Sequence, residues 1–202
     1  MTITRANTSR KVAILTLLLA LILPSSACSQ VDRADWKEQV RLATGQVVTL
    51  DRSSVRSKKG SPISSRGAIK EFAIIFPDSH AKWSDDGAVR PIAIEIVGES
   101  ILIAVDIHSR ELCARFKNPP GGVVLFKWSG SEWKRIARSD YPEAGRLNLL
   151  LNPWGRTSSD DARGLVSLKQ KRTLSGNYYL DAPLDRRIGD KSHDACEIYK
   201  NS

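Results

Sequence analysis

Apolar and polar residues alternate with a period of two along most of this chain, and that period predicts strands. Val40 and Leu42 flank Arg41, Ala43-Thr44-Gly45-Gln46 supplies a turn, and Val48 and Leu50 resume the alternation with Val47 and Thr49. This reads as a hairpin with one buried face. Phe72, Ile74 and Phe76 alternate until Pro77 stops the strand. Ile92, Ile94 and Ile96 alternate with Ala93 and Glu95, Gly98-Glu99-Ser100 turns the chain, and Ile101, Ile103, Val105 and Ile107 continue the pattern. Val124, Phe126 and Trp128 share one face, Ser129-Gly130-Ser131-Glu132 turns, and Trp133 and Ile136 return. The two tryptophans then form a cross-strand core pair, a reading weighed above a carbohydrate-stacking platform.

Leu112 to Lys117 reads as a further short strand, and Leu147 to Leu151, Leu165 to Leu168 and Ala195 to Tyr199 as three weaker ones. Ala34 to Val40 fits a single helical turn before the first strand, and no longer stretch keeps a helical stripe. β-branched residues in this density suit a pleated surface and lose rotamer freedom in helices. About eight to ten short strands separated by Gly, Pro and Ser turns imply a mainly β fold, an antiparallel β-sandwich or half-open barrel. Two stretches interrupt the pattern. Ser53 to Ser65 holds six serines with Arg56, Lys58, Lys59, Gly60 and Pro62, and predicts a flexible basic loop over 53–66. Asn152 to Gly164 holds Pro153, two glycines and the pair Asp160 and Asp161.

The first 27 residues stand apart. Met1 to Lys11 carries Arg5, Arg10 and Lys11 and no acid, Val12 to Leu23 is apolar except for Thr16, and Pro24, Ser25, Ser26 and Ala27 follow. A positive flank, a short apolar core and a small-residue exit describe an export signal, and the apolar run falls short of the ~20 residues a spanning helix needs. Residues 28–35 then form a tether and 36–202 a single β-rich domain. Ser25-Ser26-Ala27-Cys28 resembles a bacterial lipoprotein box, although Ser25 stands where an aliphatic residue is usual. Ordinary cleavage after Ala27 or after Ser29 is the alternative. Parity of the three cysteines favours lipidation of Cys28, which leaves Cys113 and Cys196 to form a disulfide in an oxidising compartment.

Charge refines the picture. The chain has 31 basic and 22 acidic residues, for a net charge of +9, and losing Arg5, Arg10 and Lys11 with the signal leaves +6. A basic exported domain suits an anionic envelope component or an acidic envelope protein, while export argues against nucleic acid as partner. The membrane enters through the lipid on Cys28, with the outer membrane as destination and a soluble periplasmic form as the alternative.

Site chemistry is sparse. His80, His108 and His193 do not fall at ligand spacing, and Cys196 three residues from His193 lacks a second pair, so neither a metal site nor a cofactor is expected. Asp85-Asp86 and Asp160-Asp161 read as surface charge. No nucleophile elbow or phosphate-cradling loop occurs, and Asp78-Ser79-His80 cannot form a triad from adjacent positions. Asp106 and His108 lie two apart in a strand, hence on one face, and fit a satisfied structural pair better than a base with its orienter. No catalytic residue is assigned. Asn152-Pro153-Trp154-Gly155-Arg156 is the most unusual string: Trp154 and Arg156 form either an interaction surface or a plug for the end of the sandwich.

Trp36-x-x-x-Val40-x-Leu42-x-x-Gly45-x-Val47, Pro91-Ile92, Phe126-x-Trp128-x-Gly130-x-x-Trp133 and Leu165-Val166-x-Leu168-Lys169 together resemble an uncharacterised family of small exported, lipoprotein-like proteins of Gram-negative bacteria. The resemblance spans most of the mature chain. It implies an N-terminal lipid cysteine, but no activity and no site residues. The sequence thus points to a non-enzymatic binding or interaction protein of the cell envelope. Its rivals are an envelope hydrolase working through carboxylates, and an inhibitor or immunity-type protein that neutralises a partner. A deep cleft lined by two carboxylates would favour the hydrolase.

Overall fold

The computed structural model describes residues 31–57, 69–79, 81–150, 164–174, 180–190 and 194–200, all within one compact unit beginning at Val31. Strands β1 (Val31–Arg41) and β2 (Val47–Ser57) form a long antiparallel hairpin, followed by β3 (Ile69–Ile75) and β4 (Lys82–Asp85). β5 (Val89–Val97) and β6 (Ser100–Ile107) make a second hairpin, and helix α1 (Arg110–Arg115) leads to β7 (Val123–Trp128) and β8 (Trp133–Ile136). The two-residue β9 (Leu165–Val166) and three short helices, α2 (Leu168–Leu174), α3 (Leu184–Gly189) and α4 (Ala195–Lys200), follow, and single 3-10 turns lie at Pro120–Gly122 and Arg138–Asp140.

One sheet runs β4-β3-β2-β1-β9 and the other β5-β6-β7-β8. Every pairing is antiparallel except that of β9, which lies parallel to β1. The sheets pack face to face as a β-sandwich and neither closes into a barrel. Alternation explains the shared core: Val40, Leu50 and Ile74 from the first sheet meet Ile94, Ile103, Val105 and Val124 from the second. The second sheet is buried on its other face as well, where Ile92, Leu102, Ala104 and Leu125 pack against Tyr141, Leu147 and Leu184. Two buried faces account for the unbroken apolar run from Ile101 to Val105, since a half-exposed strand would alternate.

Aromatic rings join the sheets beside β4 and β8. Trp128 stands opposite Trp133 with ring centroids 5.4 Å apart, and Trp83 meets Trp133 edge-on at 5.2 Å. Trp133 Nε1 donates to the Lys82 carbonyl at 2.8 Å, which ties the second sheet to the first. The expected cross-strand pair is present, although both rings are half-buried rather than enclosed.

Several expected elements differ. Ala34 to Val40 is strand, not a helical turn: Trp36, Glu38 and Val40 all face inward, and the alternation was hidden because Glu38 reads as a solvent residue. Leu112 to Lys117 is not a strand but belongs mostly to α1, whose N–H at Leu112 is capped by Ser109 Oγ at 3.1 Å. Ala195 to Tyr199 is likewise helical, capped by Asp194 Oδ1 on the N–H groups of Cys196 and Glu197. Leu165 to Leu168 keeps only two strand residues before α2 begins. Leu147 to Leu150 is buried and is not a strand, its Asn148 and Leu149 N–H groups both donating to the Ile92 carbonyl of β5. The basic loop starts later than expected, because Ser53 to Ser57 belong to β2 and Ser54 is fully buried. Residues 58–65 lie outside the described part of the chain, as do the signal, Cys28, Trp154 and Arg156.

Cys113 and Cys196 form a disulfide, with Cα atoms 5.3 Å apart. The bond joins α1 to α4 rather than two strands, and Cys113 is the buried residue of α1.

Candidate functional site

Three polar clusters are built into the domain. The first lies under the inner face of β1 and β2. Trp36, Leu150 and Val166 form a small apolar cluster there, and Glu38 and Arg52 enter from strand positions on the same face. Glu38 forms ion pairs with Arg52 and, at 2.6 Å, with Lys171 of α2, and it also accepts from the Leu150 N–H at 2.7 Å. All three charged side chains are buried. Burial pushes the Glu38 carboxyl up, but Arg52 and Lys171 outweigh it and hold the group below its ordinary range. Burial pulls the Lys171 amine down, and Glu38 only partly restores it. Lys171 also donates to the carbonyls of Gln39 and Asn148. Every charge faces a fixed partner, which marks a structural brace.

The second cluster contains the pair foreseen from strand spacing. His108 Nε2 lies 3.3 Å from Asp106 Oδ2, the atom that also receives Arg90 at 3.1 Å, while Arg187 of α3 holds Asp106 Oδ1 at 2.5 Å. Burial raises the Asp106 carboxyl, yet the His108 hydrogen bond, Arg187 and Arg90 bring it below its ordinary value. Arg187 also donates to the Gly121 carbonyl, whose own N–H donates to Asp194. Gly121 must be glycine: its φ is +63°, and a Cβ there would sit 2.6 Å from the Ile188 carbonyl oxygen. With Asp106 engaged on both oxygens, this cluster docks α3 and α4 onto the second sheet.

The third cluster has unmet polar capacity. A cleft of about 940 Å³ opens over the outer face of the second sheet. Its floor follows one cross-strand row, Glu95, Leu102 and Lys127, which neighbour one another on β5, β6 and β7. The facing wall is the segment from Ser139 to Glu143, and Ala43 and Thr44 of the β1–β2 turn border it. Glu95 is 1% exposed. Its Oε2 accepts from the Ala43 N–H at 2.8 Å, while Oε1 has no hydrogen-bond partner among the described residues. Burial raises the Glu95 carboxyl above its ordinary range, against the opposing pull of the Ala43 and Arg146 N–H groups.

Tyr141 is a second buried polar member of the lining, and its hydroxyl likewise has no partner among the described residues. Its ring sits against Gly145, where a Cβ would come within 2.7 Å of Cε1. Burial and the nearby Glu95 charge lift the phenol well above its ordinary value. Two buried polar atoms without partners in the lining of one cleft are costly, at roughly 1–3 kcal/mol each. That combination of a large cleft and perturbed groups is the pattern of a ligand site.

The structure leaves other foreseen residues apart. Asp85 and Asp86 cap the turn before β5, accepting from the Val89 and Ala88 N–H groups at 2.9 and 3.1 Å. Ser79 accepts from the Ala81 N–H, a local turn bond. His80, His193, Asp160 and Asp161 lie outside the described residues. Among the described residues, no three His, Cys, Asp or Glu side chains converge to hold a metal ion, and no helix is long and apolar enough to cross a membrane. Glu95 and Tyr141 were missed from sequence. One signal existed: Glu95 sits in Ile92-Ala93-Ile94-Glu95-Ile96-Val97, where both strand faces are apolar, so a carboxylate there must be buried whichever way it points. No family model matches the chain, and comparison with curated proteins and with solved structures finds no relative.

Proposed function

We propose that this chain is an exported binding protein of the cell envelope, non-enzymatic and anchored through a lipid on Cys28, and that it holds a small ligand in the cleft above Glu95 and Leu102. The observation that carries the binding reading is the pair of unpartnered buried groups, Glu95 Oε1 and the Tyr141 hydroxyl, in the lining of a cleft of ligand size. Export is supported by the amino-terminal pattern and by the Cys113–Cys196 bond, which persists in an oxidising compartment. Screening a fragment library by amide NMR tests the binding reading, with a Val97→Trp variant that fills the cleft mouth as control. Hits that shift cleft residues and vanish in the variant support it, and a library that leaves the cleft unmoved refutes it. Mass spectrometry of the mature amino terminus tests the anchor, and an unmodified Cys28 refutes it.

A hydrolase is the second reading, because Glu95 faces Asp140 and Glu143 across the cleft. Binding is preferred because Asp140 Oδ2 already accepts from the Ala137 N–H.

A further inference from the structure

We propose, building on the cleft as a binding site, that its ligand is a small organic ammonium, a protonated amine carried on an apolar body. The sign of the cleft is opposite to that of the protein. The chain as a whole is basic, with 31 cationic against 22 anionic residues, yet the cleft is lined by Glu95, Asp140 and Glu143 against the single base Lys127.

Neighbouring cations are committed elsewhere. Arg138 is held by Asp185 at 2.5 and 2.8 Å, and Arg146 donates to the Asp181 carbonyl at 2.6 Å. Among the described residues no basic side chain forms an ion pair with the Glu95 carboxylate, unlike Glu38 and Asp106, each of which is held by two or more basic side chains. Among the described residues the other buried acids are well satisfied, Glu38 and Asp106 by bases and Asp194 by the N–H groups of Gly121, Cys196 and Glu197, whereas Glu95 has an oxygen left over. An incoming ammonium would supply the missing cation and donate the hydrogen bond that Glu95 Oε1 lacks, an interaction stronger than a neutral one. Leu102, Ile96 and Ile136 offer the apolar contact for the rest of the ligand, and Asp140 and Glu143 draw a cation to the mouth.

Benzylamine, benzyl alcohol and benzoate share a shape and differ in charge, so titrating the full mature protein with each, by calorimetry and amide NMR, separates the outcomes. Benzylamine should bind at least about tenfold more tightly than the alcohol, as expected for a hydrogen bond to a charged group, and benzoate most weakly. Glu95→Gln should abolish the preference for the amine while leaving the alcohol's affinity intact. Glu143→Lys, an exposed change that leaves the fold alone, should weaken the amine several-fold. If the alcohol or benzoate binds the cleft as well as the amine does, or if neither substitution affects the amine, the ammonium assignment fails while the binding reading stands. If none of the three shifts a cleft residue, both fail.

Discussion

The Asn148 side chain pairs with Ile94 as a strand neighbour would: its Oδ1 accepts from the Ile94 N–H at 2.8 Å and its Nδ2 donates to the Ile94 carbonyl at 2.8 Å. The same amide reaches the Arg41 carbonyl at 3.1 Å, so one side chain completes the edge of β5 and touches the end of β1. It explains why Leu147 to Leu150 is buried without being a strand. Asn148→Leu, which keeps the volume, orphans these backbone groups and should cost roughly 1–3 kcal/mol for each group left buried. Urea denaturation measures the loss, and an unchanged midpoint would show that water replaces the amide.

Glu38 should dominate its triad. Glu38→Gln leaves Arg52 and Lys171 as buried like charges and should destabilise by about 3–5 kcal/mol. Lys171→Met leaves the Glu38–Arg52 pair intact and should cost less, the loss arising from the carbonyls of Gln39 and Asn148. Equilibrium unfolding of both variants decides the order, and a costlier Lys171 change would overturn it.

Glu95 contributes to stability with the opposite sign from a paired carboxylate. Its folded pKa is raised by burial, so the folded state holds the proton more tightly than the unfolded chain does. Above the folded pKa the group destabilises the protein. As pH falls from there toward the unfolded value of roughly 4.3, that penalty disappears. The groups facing it are the Tyr141 phenol, the Ala43 and Arg146 N–H groups and, along the same row, Lys127. Glu95→Gln should therefore raise the melting temperature near pH 7 and lose that advantage near pH 4. Melting curves across this range provide the check, and a variant less stable at both ends would contradict it.

Trp133 should matter more than Trp128. It packs on Phe76, Trp83 and Trp128 and donates to Lys82, whereas Trp128 contacts Trp133 alone among these rings. Both are half-buried, so Trp133→Ala should stay below or near the ~3–5 kcal/mol of a full core truncation, and Trp128→Ala should cost less. Thermal denaturation of the two variants ranks them.

Much of this architecture was legible in the chain because its strands follow an alternating pattern that each residue type states openly. The Trp128–Trp133 hairpin rests on that alternation, Ile101 to Ile107 on a dense run of β-branched and apolar residues, and the Cys113–Cys196 pairing on cysteine parity. The helices were not legible for a physical reason: six or seven residues contain fewer than two turns, too few for a 3.6-residue period to emerge. Their caps, Ser109, Asp194 and the Ser167–Gln170 capping box, were local clues. The site was hidden for a different reason. Glu38 sits in a polar-rich strand and Glu95 in an apolar one, and only the fold reveals that both are buried and that bases reach the first among the described residues and not the second.

The position of the Cys113–Cys196 bond fixes when it can act. Cys196 follows its partner by 83 residues, and β1 to β9 with α1 to α3 all precede it in the chain. During synthesis Cys113 has no Cys196 to join until all nine described strands have been made, so their pairing has to find its register without this covalent guide. The bond then acts as a late latch on α4. Closing so long a loop is worth up to about 4–5 kcal/mol on the chain-entropy account. Interactions absent when the barrier is crossed slow unfolding rather than speed folding. Reduction should accordingly leave the refolding rate of the sandwich nearly unchanged and accelerate its unfolding, a separation that stopped-flow measurements with and without reductant would display. A large drop in refolding rate on reduction would instead place the bond among the first contacts to form.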